Sequence, residues 1–142
     1  MKTELVKDWM TPKPVTAPPT MTLPEAHQIM KERRIRRLPV VDHGKLVGIV
    51  TRGDLRGAQP SEATSLSIFE LHYLVGRISL KDLMRPNPLT VLPTATIQQA
   101  AQIMLQSKIA GLPVVDEAHH LVGIITESDI FRLVVKMWEQ ED

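Results

Sequence analysis

The sequence predicts an α/β protein, built as two β-α-β-β-α repeats packed into a single compact module about an internal pseudo-two-fold axis. Three observations predict it. Leu38-Pro39-Val40-Val41-Asp42 returns as Leu112-Pro113-Val114-Val115-Asp116. Each copy then runs into a second apolar stretch with a common ending: Gly48-Ile49-Val50-Thr51-Arg52-Gly53-Asp54 in one, Gly123-Ile124-Ile125-Thr126-Glu127-Ser128-Asp129 in the other. The match also extends upstream, pairing Val6-Lys7-Asp8-Trp9-Met10 with Leu80-Lys81-Asp82-Leu83-Met84, and Pro12-Lys13-Pro14-Val15-Thr16 with Pro86-Asn87-Pro88-Leu89-Thr90. Pro113 follows Pro39 by 74 residues and Asp129 follows Asp54 by 75, so one residue is inserted in the second turn, at Ala118-His119. Two copies are too few for a solenoid. The expected organisation is a first repeat at 1–58, a linker with a short helix at 59–79 and a second repeat at 80–142.

Taken in order, residues 5–10 read as a short amphipathic helix or turn, with Leu5, Val6, Trp9 and Met10 apolar and Lys7 and Asp8 outward. Pro12, Pro14, Pro18 and Pro19 make the next stretch extended chain around a short strand at Val15-Thr16-Ala17. Thr22-Leu23-Pro24-Glu25 is a helix start: a threonine N-cap with Glu three residues on, and a proline tolerated in the first turn. Ala26, Ile29 and Met30 follow at helical spacing, and the helix ends before Ile35. Thr96-Ile97-Gln98-Gln99 repeats the device, with Ala100, Ile103 and Met104 inward. Leu38–Val41 and Leu46–Val50 form a hairpin across Asp42-His43-Gly44-Lys45, and helix resumes at Asp54-Leu55. The linker looks helical from Leu66 to Val75, with Leu66, Phe69, His72 and Tyr73 on one side. The last helix carries Phe131, Val134, Val135 and Trp138 at i, i+3, i+4, i+7, widened by Leu133 and Met137. A stripe that wide on a terminal helix either closes its own domain or forms a dimer interface, and the dimer interface is the one expected.

Composition bounds the function. The chain has 142 residues, 43% hydrophobic and 23% charged, which suits one ordinary domain with a real core. A net charge of +1 gives no general case for nucleic acid or an anionic membrane. The basic stretch from Lys31 to Arg37 has no aromatic platform beside it for bases to stack on. There is no cysteine, which removes disulfide scaffolds and thiolate metal sites. The start, Met1-Lys2-Thr3-Glu4, leads into no apolar signal core, and no apolar run approaches a membrane span. A cytoplasmic location is therefore expected. His43, His119 and His120 fall in hairpin turns and read as solvated turn residues; adjacent side chains at a strand end point apart, so no metal site is expected from them.

The chemistry-bearing motif is Gly-h-h-Thr-x-x-Asp, with h apolar, present twice. A strand running into a helix start leaves free backbone N–H groups that can bind anions. The hydroxyls of Thr51 and Thr126 can donate to a phosphate or ribose oxygen. The carboxylates of Asp54 and Asp129 offer acceptors for the paired 2′- and 3′-hydroxyls of a ribose. The same Thr-x-x-Asp spacing is also a capping box. The two readings are compatible, because one threonine can both cap and bind.

Together the Met-x-x-Pro-x-Thr segments, Leu-Pro-Val-Val-Asp and Gly-h-h-Thr-x-x-Asp, each present twice across essentially the whole chain, resemble a tandem CBS-domain pair, or Bateman module. Ser65-Leu66-Ser67-Ile68-Phe69-Glu70-Leu71-His72-Tyr73-Leu74 adds a similarity to stand-alone CBS proteins of the acetoin-utilisation type. The resemblance implies two clefts between the repeats that bind AMP, ADP, ATP or S-adenosylmethionine, with no metal required. It implies that Thr51 and Asp54 face one ribose and phosphate, and Thr126 and Asp129 the other. Thr16, Ala17 and Pro18, and Thr90 and Val91 with Leu92, would line the base. Arg36 and Arg37, and Ala110 and Gly111, stand where phosphates are commonly met. It further implies a homodimer joined through linker and C-terminal helices.

The two copies differ in charge. The first carries Arg33, Arg34, Arg36, Arg37, Arg52 and Arg56; the second has only Lys108 and Arg132 nearby, with Glu127 opposite Arg52. Guanidinium groups match phosphate with fork geometry, so the first site is expected to take the more highly charged ligand. No nucleophile is paired with a base and no phosphate loop is present, which argues against an enzyme. The expected function is a non-catalytic sensor of adenosine nucleotides that signals by conformational change to an effector on another chain. The alternative is a homodimeric scaffold or adaptor with empty clefts. A nucleotide hydrolase would need a positioned base that the sequence does not offer.

Overall fold

A computed structural model describes residues 3–58 and 67–141; Leu66 and the rest of the linker before Ser67 lie outside the described residues. The elements are α1 (Val6–Trp9), β1 (Thr11–Pro12), α2 (Leu23–Arg33), β2 (Arg37–Asp42), β3 (Lys45–Thr51), α3 (Arg52–Gly57), α4 (Ile68–Val75), α5 (Leu80–Leu83), β4 (Arg85–Pro86), α6 (Ile97–Ser107), β5 (Gly111–Val115), β6 (Leu121–Thr126) and α7 (Glu127–Gln140). They form two compact units, one of residues 15–87 and the other of residues 1–14 with 88–142.

In the unit of 15–87 the sheet order is β2-β3-β4, all antiparallel. The hairpin turn closes on the pair Asp42 and Lys45, with His43 at φ 51° and Gly44 at φ 81°. Two left-handed residues match the twist of a two-residue hairpin, and only the glycine adopts that conformation without strain. In the other unit the order is β1-β6-β5. Its longer turn is held by Asp116, whose Oδ1 accepts from the backbone N–H of Ala118 and of His120, each at 2.9 Å. Both hairpins have a bulge at the same place, between Val40 and Val41 and between Val114 and Val115.

The helices start and stop as their sequences require. The N–H of Glu25 reaches the hydroxyl of Thr22, and Thr96 and Gln99 cap each other reciprocally at 2.9 and 3.0 Å. α2 and α6 end on left-handed residues, Arg34 and Lys108, both at φ 54°. Ala26 and Met30, and Ala100 and Met104, are buried in the two cores, as their spacing predicts.

One expectation is corrected. The strand expected at Val15-Thr16-Ala17 is a single parallel bridge from Ala17 to Val40, and the proline-rich stretch before it supplies β1 instead. Pro12 is tolerated there because β1 lies at a sheet edge, where a missing N–H leaves no gap in the ladder. On α7 the stripe splits. Leu133 enters the core with Ile130 and Met137 beside it, whereas Phe131, Val135 and Trp138 are about half or more exposed.

Each unit is completed by a leader from the other repeat. The N–H of Val6 donates to the carbonyl of Ala95 at 2.8 Å, that of Ile97 to Glu4 at 3.0 Å, and Val6 is fully buried among Val91, Leu112 and Ile125. Reciprocally, Leu23 N–H donates to Ile78, Leu80 N–H donates to Met21, and Leu80 is fully buried with Leu38 and Val50. The compact units therefore cut across the matched copies: residues 1–14 group with 88–142, and residues 80–87 with the segment from 15 onward.

Two glycines make this exchange of leaders fit. A Cβ at Gly48 would collide with the Met84 side chain and sit 3.1 Å from the Arg85 carbonyl oxygen; one at Gly123 would lie 2.5 Å from Met10 Sδ and 3.0 Å from the Thr11 carbonyl oxygen. The methionines can partly give way, but the backbone carbonyls cannot. Gly48→Ala and Gly123→Ala are each expected to destabilise by about 1–3 kcal/mol, read as a lower urea midpoint. An unchanged midpoint would mean that the leaders are not held this closely.

Candidate functional site

Each predicted set of site residues falls within one compact unit. In the unit of 15–87, Thr16-Ala17-Pro18 lies along β2: Ala17 N–H donates to Pro39 at 3.0 Å and its carbonyl accepts from Val41 at 2.9 Å. In the other unit Val91 does the same with Pro113 and Val115, at 3.1 and 3.0 Å. The amide groups of Ala17 and Val91 are thus committed to the sheet. Of their neighbours, Thr16 and Pro18 are exposed, Thr90 is half-buried and Leu92 is exposed.

The strand-to-helix corners carry the motif. At the first, Thr51 N–H donates to Asp54 Oδ2 at 2.9 Å, and Asp54 N–H donates to the Thr51 hydroxyl at 3.1 Å, a complete capping box. The capping reading therefore holds, and the structure adds what the sequence reading missed: Arg85 Nε and Nη2 both donate to Asp54 Oδ1, at 3.2 and 2.9 Å. Burial raises the Asp54 carboxyl pKa, but the hydrogen bonds from Arg85 and Thr51 outweigh it and hold the group below its ordinary 3.8. Its stabilising contribution is complete above that value and is lost as pH falls through the lowered pKa. The only sequence signal for Arg85 is that it replaces Thr11 in the matched leader.

At the second corner Asp129 is 2% exposed. Its Oδ2 accepts from the N–H and the hydroxyl of Thr126, at 2.8 and 3.3 Å, and its Oδ1 is ion-paired with Arg132 one turn along α7. Gly57 stands at the position matching Arg132 in the first copy. The two aspartates are equivalent in sequence but meet arginines from unrelated places.

The corners are braced alike. Arg52 N–H donates to the Arg36 carbonyl and Glu127 N–H to the Ala110 carbonyl, both at 3.1 Å, and Arg52 Nε donates to Ile35. Around the first corner is an open cavity of about 390 Å³ lined by Arg36, Arg37, Thr51, Arg52, Gly53 and Arg56. A neighbouring cavity of about 330 Å³ shares Arg52 and Arg56 and has Met30 and Leu55 among its lining residues. The matching residues of the second copy are Ala110, Gly111, Thr126, Glu127, Ser128 and Phe131. None of the four arginine positions of the first corner carries an arginine in the second copy, where the guanidinium at the corner is that of Arg132. Arg56 belongs to this cationic lining although the motif did not single it out as a site residue. Among the described residues no cluster of His, Asp and Glu could hold a metal ion, and no helix is long and apolar enough to cross a membrane.

Comparison with known proteins gives the same repeat. The family model described as "CBS domain" matches residues 6–61 and again 74–136. A crystal structure of a putative acetoin utilization protein, AcuB, from Vibrio cholerae is 36% identical, with a TM-score of 0.79 over 96% of this chain and 94% of that one. CBSX2, an Arabidopsis thaliana CBS-pair protein solved in complex with AMP, is 32% identical with a TM-score of 0.77, covering 94% of this chain and 98% of that one. The CBS domain pair of protein MJ0100, solved with 5-methylthioadenosine and S-adenosyl-L-methionine, is 31% identical with a TM-score of 0.78, covering 96% and 99%. Among curated relatives, the chain spans 21% and 23% of the length of two and 94% of a third.

Proposed function

The chain belongs to the CBS-domain family, and from that premise we propose that it is a non-catalytic module that binds adenosine compounds and passes their binding on to a partner protein. The unit of 15–87 takes a phosphorylated adenosine nucleotide at the Thr51–Asp54 corner. The other unit takes a less charged adenosine compound at the Thr126–Asp129 corner. The observation that carries this reading is the contrast in lining: Arg36, Arg37, Arg52 and Arg56 at one corner, and Ala110, Gly111, Glu127 and Phe131 at the other. Phosphate oxygens at the first corner would meet charge-assisted donors, whereas Glu127 would repel them at the second. A ligand signals only if it binds two conformations unequally.

A thermal-shift panel of the purified chain against AMP, ADP, ATP and S-adenosylmethionine tests the reading. Ligand at about 100-fold excess over Kd stabilises by about 2.7 kcal/mol, a readily measured rise in melting temperature. The second reading, a homodimeric scaffold, draws on the exposed Phe131, Val135 and Trp138 of α7. It predicts a dimer in sedimentation and no shift with any of the four compounds.

A further inference from the structure

We infer that Arg85 gates the sugar end of the first site and sets its preference for anionic adenosine ligands over neutral ones. This rests on the proposed function. Each oxygen of a carboxylate accepts about two hydrogen bonds. Asp54 Oδ1 already takes two from Arg85, and Oδ2 takes one from the Thr51 N–H. At most one acceptor position remains, since the Thr51 hydroxyl also bonds to the carboxylate, whereas a ribose presents two hydroxyl donors. A diol can therefore engage Asp54 fully only if Arg85 withdraws at least one of its bonds.

The withdrawal is feasible because the Arg85 side chain is 68% exposed while the Asp54 side chain is 13% exposed. The arginine can swing into solvent and the aspartate stays anchored by its cap. What happens to the released guanidinium depends on the ligand. A phosphate beside the sugar gives it a new anionic partner, but a neutral adenosine leaves it with water alone. The gate thus acts against neutral ligands and is offset by charged ones. In the other unit the leader position matching Arg85 is Thr11, and the arginine on Asp129 is Arg132 of its own helix.

Calorimetric titration of the full chain with adenosine, AMP and ATP, in the wild type, Arg85→Ala and Arg85→Lys, tests this. Arg85→Ala is expected to bind adenosine about tenfold more tightly and to lose at least tenfold in its ATP-over-adenosine preference. Arg85→Lys, which keeps the charge but not the fork, should fall between. Arg85→Gln gives the same comparison if the alanine variant does not fold. A wild type that binds ATP or AMP, with an unchanged preference in Arg85→Ala or Arg85→Gln, overturns the gate alone. A wild type that binds none of the three overturns the gate together with the proposed function.

Discussion

The Arg36→Ala/Arg56→Ala variant is expected to lose about 100-fold in affinity for ATP and no more than about tenfold for AMP. Both residues line the cavity beside the Thr51–Asp54 corner, whereas Arg52 is left in place because its Nε holds the Ile35 carbonyl. Their removal should therefore spare the fold. A hydrogen bond to a charged group contributes about 1.5–3 kcal/mol, and 1.4 kcal/mol is tenfold in binding. Two arginines meeting a triphosphate reach 100-fold at the low end of that range, while a single phosphate cannot engage both as fully. Isothermal titration at two salt concentrations checks it, because the lost component should also flatten the salt dependence. An equal loss for ATP and AMP would mean that the cationic lining is a solvated surface and the phosphates lie elsewhere.

The second large effect concerns stability. Asp129→Ala is expected to cost roughly 3 kcal/mol, about 10 °C in melting temperature, against about 1 kcal/mol for Asp54→Ala. Asp129 is nearly inaccessible, and it satisfies both the N–H and the hydroxyl of Thr126 at the start of the 14-residue α7. Its removal strands those donors, leaves a gap in the core side of the corner and loosens the helix that carries Leu133 inward. Asp54 caps the six-residue α3 and its arginine already lies mostly in solvent, so the loss there is close to that of an ordinary cap. Chemical denaturation of the two variants side by side decides it; equal losses would show that the second aspartate is no more structural than the first. Asp54→Ala is accordingly the cleaner probe of ligand binding.

The local chemistry of this fold is legible in the chain because it depends on short-range rules. Thr22 with Glu25 and Thr96 with Gln99 start helices wherever they stand, since the cap is made within four residues. The hairpins follow from β-branched runs around a turn, and the Thr-x-x-Asp corners from a strand that stops where a cap begins. The repeat identified equivalent positions, so Arg36 and Arg37 could be set against Ala110 and Gly111 without any coordinates. Arg85 could not be found that way. It lies 31 residues from Asp54 in sequence, and nothing periodic links a leader residue to a helix cap.

By itself, then, the sequence determined the longer helices and the two hairpins, the two-fold repetition and the unequal charge of the two corners, because each is a property of neighbours along the chain or of aligned copies. Only the tertiary structure decided that residues 1–14 complete the core of the second repeat and that Leu80 completes the first. It alone decided which arginine each aspartate meets, and which side of α7 is buried. Those outcomes rest on long-range packing: burying Val6 and Leu80, with Gly48 and Gly123 admitting the leaders, is satisfied by exchanging segments as well as by keeping them, and local pattern does not distinguish the two.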